Sequence, residues 1–434
     1  MKGMKKHVSV PGLLKRIRSQ FAKIPETVGA RSKIPLADCL MSGLAIFGLK
    51  IPSLLQFDEQ SGMDRVKHNL KSLYGIEKAP CDTYVRERLD EVQFQLLRKP
   101  FNRVFAALQR QKVLERFEYY EKHYLISLDG TGCFSSHKVN CESCCVKNHK
   151  DGSKTYYHQM LAAVLVHPDE KTVIPLAPEP ILKQDGNKKN DCERNAAKRL
   201  LEAMRREHPH LKMIIVEDAL YANAPHIKLI KQLNMRYIIG VKPDDHAYLF
   251  EFINAVKMQE KEERDSDGTI HRYRWFNGAP LNDANADCEV NFLDYEEISP
   301  KGEVKHFTWI TDIPLMPSTV KLIMKGGRAR WKIENETFNT LKNQGYHFEH
   351  NYGHGYNQLS TVMAMLMFLA FLVDQAQETR CELFQRALKK VKRRTRFWQR
   401  LQSLFLEYFI LSWETLYEAI ANDTGRGILG ADTS

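Results

Sequence analysis

A chain of 434 residues with 43% hydrophobic content can bury one large core and satellite units, two to four in all. The formal charge of +11 and pI near 9.0 favour a polyanionic partner. Nine cysteines, an odd number without framework spacing, point away from a disulfide scaffold and towards a reducing compartment, the cytoplasm.

The distribution of charge is more telling than its sum. Residues 1–33 hold nine Lys or Arg against one acid, and residues 386–400 hold eight against none. Basic clusters at both ends of a mixed chain suit a phosphate backbone, although a ribosomal or membrane-surface protein has a similar pattern. No apolar segment with a small-residue cleavage site follows the basic N-terminus. The longest apolar run, Val362 to Val373, has 12 residues. A spanning helix needs roughly 18, so this run is predicted to be a core helix and no membrane partner is expected.

In chain order, Leu13, Leu14, Ile17 and Phe21 mark a short amphipathic helix, and residues 36–55 a largely apolar one. A third helix is predicted over 62–75, ending at Gly75. Asp82 then caps a fourth, with Val85, Leu89, Val92 and Leu96 on one face. Arg86 and Arg88 lie off that face. They would meet DNA in a helix-turn-helix or be solvated in a plain bundle.

The texture changes at Tyr119. Residues 124–128 (YLISL) read as a strand, followed at once by Asp129 and the glycine turn Gly130-Thr131-Gly132. An acid there is held rigidly at a sheet edge, although an Asp opening a turn is often only structural. Strands are predicted over 157–166 and 172–176, forming an antiparallel set with the first. Between the first two strands, Cys141 and Cys144 have the spacing with which two thiolates grip one tetrahedral zinc. His149 or Cys145 would be the third ligand, and His137, Cys133 or His158 would complete the site; otherwise these are ordinary hairpin cysteines.

A helix over 190–207, a strand over 213–216, a helix over 224–233 and a strand over 237–241 give strand–helix alternation. The strand ending at Val216 is followed by Glu217-Asp218, repeating the pattern of an apolar run with an acid at its carboxyl end. Asp129 and Asp218 become neighbours if their strands are adjacent. After a charged stretch at 260–267, strands over 271–277, 289–298 and 305–312 read as an inserted β-domain, with Ser299–Gly302 as a hairpin turn.

Residues 328–342 (RARWKIENETFNTLK) form a charged helix. Trp331, Glu334, Phe338 and Leu341 fall at i, i+3, i+7 and i+10, an apolar stripe that places Glu334 where a core residue belongs. A buried carboxylate needs a cation or hydrogen bonds. Two strand-end acids and this third one make a cation site, most simply for a pair of divalent ions, and oxygen-only ligation favours Mg²⁺ or Mn²⁺. Residues 345–354 are rich in His and aromatics, suited either to gripping DNA strands or to a plain loop. Trp309 or Trp275 would stack on an unpaired base, or more simply be half-buried strand residues. The run Lys389, Lys390, Lys392, Arg393, Arg394, Arg396 is a second basic element, and Leu401–Leu416 is apolar enough to pack internally or on another subunit.

The blocks LISLDGTG, IIVEDALYANAP and RARWKIENETFNTLK resemble the three catalytic blocks of bacterial insertion-sequence transposases of the DDE class, over about residues 115–375. The resemblance implies an α/β fold: a ribonuclease H-like mixed sheet flanked by helices, with an inserted β-domain and helical N- and C-terminal regions. The corresponding units are a DNA-binding region over 1–115, a catalytic core over 116–243 and 318–375, an insertion over 244–317 and a basic region over 376–434. Asp129, Asp218 and Glu334 would be the metal-binding triad. Arg330 would match the Arg of the Y-R-E-K signature, which holds DNA phosphate. The signature Tyr would fall at Gly327, and the signature Lys at Leu341, with Lys342 one residue late. The implied partners are transposon-end and target double-stranded DNA, with a homodimer on DNA at the bacterial nucleoid. The implied reaction is metal-dependent end cleavage followed by strand transfer. A non-transposing nuclease of the same fold, or an inactive DNA-binding regulator, are the rival readings.

Overall fold

The computed structural model describes residues 8–26, 33–183 and 189–423, the side chains of 189–192 excepted. The N-terminal third is helical. Ser9 caps Val10–Phe21, whose Leu13, Leu14, Ile17 and Phe21 are all buried. The apolar helix predicted over 36–55 stops at Gly48, because Pro52 cannot continue it; Ser53 then caps a separate helix, Leu54–Ser61. Asp82–Asp90 is a helix as predicted, but Cys81 holds the cap position and Asp82 instead pairs with Arg86. Arg88 is 2% exposed and paired with Glu26. It is therefore a buried structural cation and cannot meet DNA.

One mixed sheet organises the rest. Its strands are β1 (Tyr124–Ser136), β2 (Cys145–Asn148), β3 (Lys154–Val166), β4 (Ile174–Pro175), β5 (Glu179–Ile181), β6 (Met213–Glu217), β7 (Arg236–Gly240), β8 (Gln259–Arg264), β9 (Ile270–Pro280), β10 (Glu289–Ile298) and β11 (Val304–Thr311). The order is β2-β3-β1-β6-β7-β11-β10-β9-β8, with β4 and β5 also on β3. β1, β6 and β7 run parallel, and the neighbours on either side of them are antiparallel. The buried runs of β1 and β6 are continuous rather than alternating, as expected for strands covered on both faces.

The segment 244–317, predicted to form an inserted β-domain, lengthens this same sheet. β11 adds to the free edge of β7, pairing Trp309 with Gly240. β8 lies in the stretch read from sequence only as charged. It is the outermost strand, and three of its five charges are paired: Glu262 with Arg272, and Glu263 with Lys261 and Lys321. A charged edge resists further strand addition.

The long apolar helix Leu359–Arg380 packs between the N-terminal helices and the β3–β4 side of the sheet. It is long and apolar enough to cross a membrane by composition, but its apolar window is 89% buried inside the fold. On its far side lie the helices Glu382–Val391, Arg394–Glu407 and Trp413–Asn422, with Phe397, Trp398, Leu401, Phe405 and Leu416 buried. The apolar stretch 401–416 is thus packed within the chain. Lys50, buried between the rings of Tyr346 and Trp398, pairs with Asp374 of the long helix at 2.6 Å and ties the helical regions together. All described cysteines are free.

Candidate active site

β1 does not end at Asp129. It continues through Gly130 and Gly132 in register with β3, where Asp129 faces Ala162. The end is set instead by β6, whose pairing with β1 stops at Ser127↔Val216. Asp129 and Asp218 each lie two residues beyond that pair, side by side at the carboxyl ends of adjacent parallel strands. Period-two alternation sends the preceding acid the other way: Glu217 is 1% exposed and held by His226 Nε2 at 2.7 Å, while Asp218 faces solvent. Asp218 Oδ1 accepts a hydrogen bond from Leu220 N at 3.0 Å, and Asp129 Oδ1 one from Gly130 N at 2.8 Å.

The helix carrying Glu334 is irregular. A tight turn, Ala329–Trp331, is followed by a wide turn, Ile333–Phe338, before regular helix resumes at Asn339. The wide turn shifts the phase of the buried face. Ile333, Thr337, Phe338 and Leu341 are buried, whereas Trp331 is 49% exposed and the Glu334 side chain 36% exposed. Glu334 therefore sits at the rim of the core rather than inside it. Its partner is Arg330: Nη1 donates to Glu334 at 2.9 Å and to Asp129 at 3.3 Å. The guanidinium also lies over the Trp331 ring.

Burial pushes the Asp129 carboxyl up to about 7; the Arg330 charge and the Gly130 amide oppose this, while Glu334 and Asp218 reinforce it. Two further residues lie beside the cluster, Glu193, which the sequence reading did not single out, and Trp331, which it placed on the apolar stripe. Glu193 lies against the backbone of Gly130, its Oε1 3.0 Å from where a Cβ would stand. It shares an open cleft with Asp218, Lys242 and His246. Trp331 presents an exposed indole beside Arg330. The signal for both was present, an acid near a helix start and a Trp next to Arg330, but neither has a fixed spacing to the triad.

The other sequence-derived residues are spread out. Arg330 is mostly enclosed by the acids. Lys342 pairs with Glu349 at 2.8 Å, and Leu341 is buried. Gly327 packs against the indole of Trp309, where an added Cβ would fall 2.5 Å from Cε2; the position of the signature Tyr has no space for a side chain. Lys389, Lys390, Lys392, Arg393 and Arg396 are exposed. Arg394 is part-exposed and pairs with Glu378 through two nitrogens. Trp275 and Trp309 are buried strand residues. In the His-rich loop, Tyr346 and Phe348 are buried edge-on against Phe371 and Phe368, so these rings pack on the core helix instead of gripping DNA. Cys145 Sγ faces Ile181 O at 3.7 Å, and His149 Nε2 meets Thr155 Oγ1 at 2.7 Å. Neither joins Cys141 and Cys144, because Cys145 begins β2 on the opposite side from Cys144 and His149 lies at that strand's far end.

Two acids from adjacent parallel strands and a third on a facing helix, tied to Asp129 through Arg330, form an acidic cluster on a large mixed sheet. Residues 126–373, more than half of the chain, match the family described as "Transposase DDE domain", and the chain belongs to that family of DNA-acting enzymes. No curated protein matches the sequence. The cryo-EM structure of a piggyBac transposase synaptic complex with hairpin DNA is similar over 97% of this chain and 85% of that one, with 11% identity and a TM-score of 0.43.

Proposed function

We propose that the chain cleaves transposon-end DNA in a metal-dependent reaction and joins the freed 3′-hydroxyls to target DNA, with Asp129, Asp218 and Glu334 as metal ligands. The observation that carries this reading is the register of Asp129 and Asp218 across two parallel strands, with Glu334 linked to Asp129 through Arg330. The order of β3, β1, β6 and β7, one antiparallel strand beside three parallel ones, supports a ribonuclease H-like core.

The donor set fits Mg²⁺ or Mn²⁺, because it is all carboxylate oxygen. Bound divalent ions supply the charge that activates an attacking water and stabilises the leaving oxygen in phosphodiester cleavage. The chain's own residues do the positioning. The Gly130 amide and the β1–β3 pairing fix Asp129, and the turn that Asp218 caps fixes Asp218. Arg330 holds Glu334 towards them and is placed to shift to a DNA phosphate when metal takes over the acids. The exposed Lys389, Lys390, Lys392, Arg393 and Arg396 contribute the salt-dependent grip on the duplex.

The test is a cleavage and strand-transfer assay with the protein's flanking DNA and Mg²⁺. Asp129→Asn, Asp218→Asn and Glu334→Gln should each abolish cleavage while retaining DNA binding. Cleavage without joined products would favour a nuclease of the same fold, and binding without cleavage a regulator. Persistent cleavage by Asp129→Asn would overturn the triad.

A further inference from the structure

Cys141 and Cys144 meet two histidines from distant parts of the chain. Cys144 Sγ lies 3.4 Å from His158 Nε2, on β3, and 3.2 Å from His354 Nε2, in the loop before the helix Leu359–Arg380. Cys141 Sγ is 3.8 Å from Cys144 Sγ and 3.5 Å from His158 Nε2, and the two Nε2 atoms are 3.1 Å apart. All four ligand atoms lie within 4.8 Å of one another, and three of the four residues are buried. A tetrahedral zinc with ordinary bond lengths requires edges of about 3.8 Å between sulfurs, about 3.3 Å between nitrogens and about 3.5 Å between sulfur and nitrogen. Five of the cluster's six edges are within about 0.3 Å of those values, and the sixth, Cys141 Sγ to His354 Nε2, is within 4.8 Å.

Its hydrogen bonds point the same way. His354 Nδ1 is 2.7 Å from Gly355 O, so Nδ1 carries the proton and donates it to that carbonyl, leaving the Nε2 lone pair aimed at the cluster. The Cys141 amide donates to Cys144 Sγ at 3.4 Å, a contact that a metal-bound thiolate would strengthen. Without a cation, a buried sulfur and two imidazole nitrogens would crowd together with too few protons to share. Two thiolates and one Zn²⁺ are neutral together, which makes the burial affordable.

We propose that Cys141, Cys144, His158 and His354 bind a structural zinc ion, separate from the acidic site. Such an ion clips three segments into one unit: the loop between β1 and β2, strand β3, and the loop that follows the Glu334 helix. β3 pairs along β1 through Asp129, so the clip fixes the segment after Glu334 against the strand that carries Asp129.

The experiment uses the full chain. Protein from zinc-supplemented cells, desalted after brief EDTA treatment, should retain about one zinc per chain by elemental analysis. Cobalt-substituted protein should show the visible bands of tetrahedral Co²⁺ and a thiolate-to-metal charge-transfer band. Cys141→Ser and His354→Gln should each weaken retention tenfold or more. Cys145→Ser, His149→Gln and the Asp129→Asn/Asp218→Asn double variant should keep the metal, the last separating this site from the acidic one. Wild-type protein that holds no zinc, or cobalt without tetrahedral bands, would overturn the proposal. So would retention by His354→Gln alongside loss by Cys145→Ser. The wild-type measurements decide the matter even if a ligand variant does not fold.

Discussion

Arg330 Nη1 lies 2.9 Å from Glu334 Oε1, one helical turn along the same segment, and spans from there to Asp129. Arg330 thus neutralises two acids that would otherwise repel. Arg330→Ala should lower the stability of the metal-free protein by about 1–2 kcal/mol, less than a fully buried pair because Glu334 is part-exposed and screened. Excess Mg²⁺ should restore most of the loss. Urea unfolding in EDTA and in Mg²⁺ measures both; an equal loss in the two conditions would show that Arg330 is not the acids' counterion.

The raised carboxyl of Asp129 sets a pH dependence. Its folded value of about 7 lies above the ordinary 3.8, so the proton is bound more tightly in the folded state. The stability this supplies is complete below the unfolded value and is lost as pH rises through about 7. In EDTA, the wild-type melting temperature should fall between pH 5 and pH 8 by more than that of Asp129→Asn, and Mg²⁺ should raise it more at pH 8 than at pH 5. Parallel melting profiles for the two proteins would rule out the perturbed carboxyl.

Gly327 and Trp309 occupy one another's space, so restoring the signature Tyr at 327 should not improve activity. Gly327→Ala should cost about 1–3 kcal/mol through overpacking. In a double-mutant cycle with Trp309→Leu, part of that loss should disappear. Additive losses would mean that the two residues do not compete.

Arg88 and the exposed basic run should behave oppositely. Arg88→Ala should destabilise the N-terminal helices by about 1–2 kcal/mol, and Arg88→Met by less, since Arg88 itself is buried and leaves a void while its partner Glu26 is half-exposed and stays solvated. Neither should change DNA affinity of the folded protein. Lys390→Ala and Arg393→Ala should leave the melting temperature unchanged and reduce the salt slope of DNA binding by about one each. A DNA defect confined to Arg88 would restore the helix-turn-helix reading.

Much of this protein is legible along the chain because the determining forces are local. Apolar periodicity marked the N-terminal helices and the strands at 124–128, 157–166 and 213–216, and an acid directly after a buried run singled out Asp129 and Asp218. Helical phase identified Glu334 but misjudged its depth, because a wide turn after Trp331 moves the buried face by one residue. Phase computed from an ideal helix carries no information about such a turn. The charged strand β8 escaped notice since both its faces are polar and only its pairing with β9 makes it a strand.

The sequence by itself determined the acids, their order and the basic ends, because strand alternation and charge are properties of neighbouring residues. Only the tertiary structure decided that Asp129 and Asp218 lie side by side, that Arg88 is internal, and that His354 rather than His149 reaches Cys144. Those facts depend on which strands pair and on where a loop 210 residues away returns, and no local preference encodes such a closure.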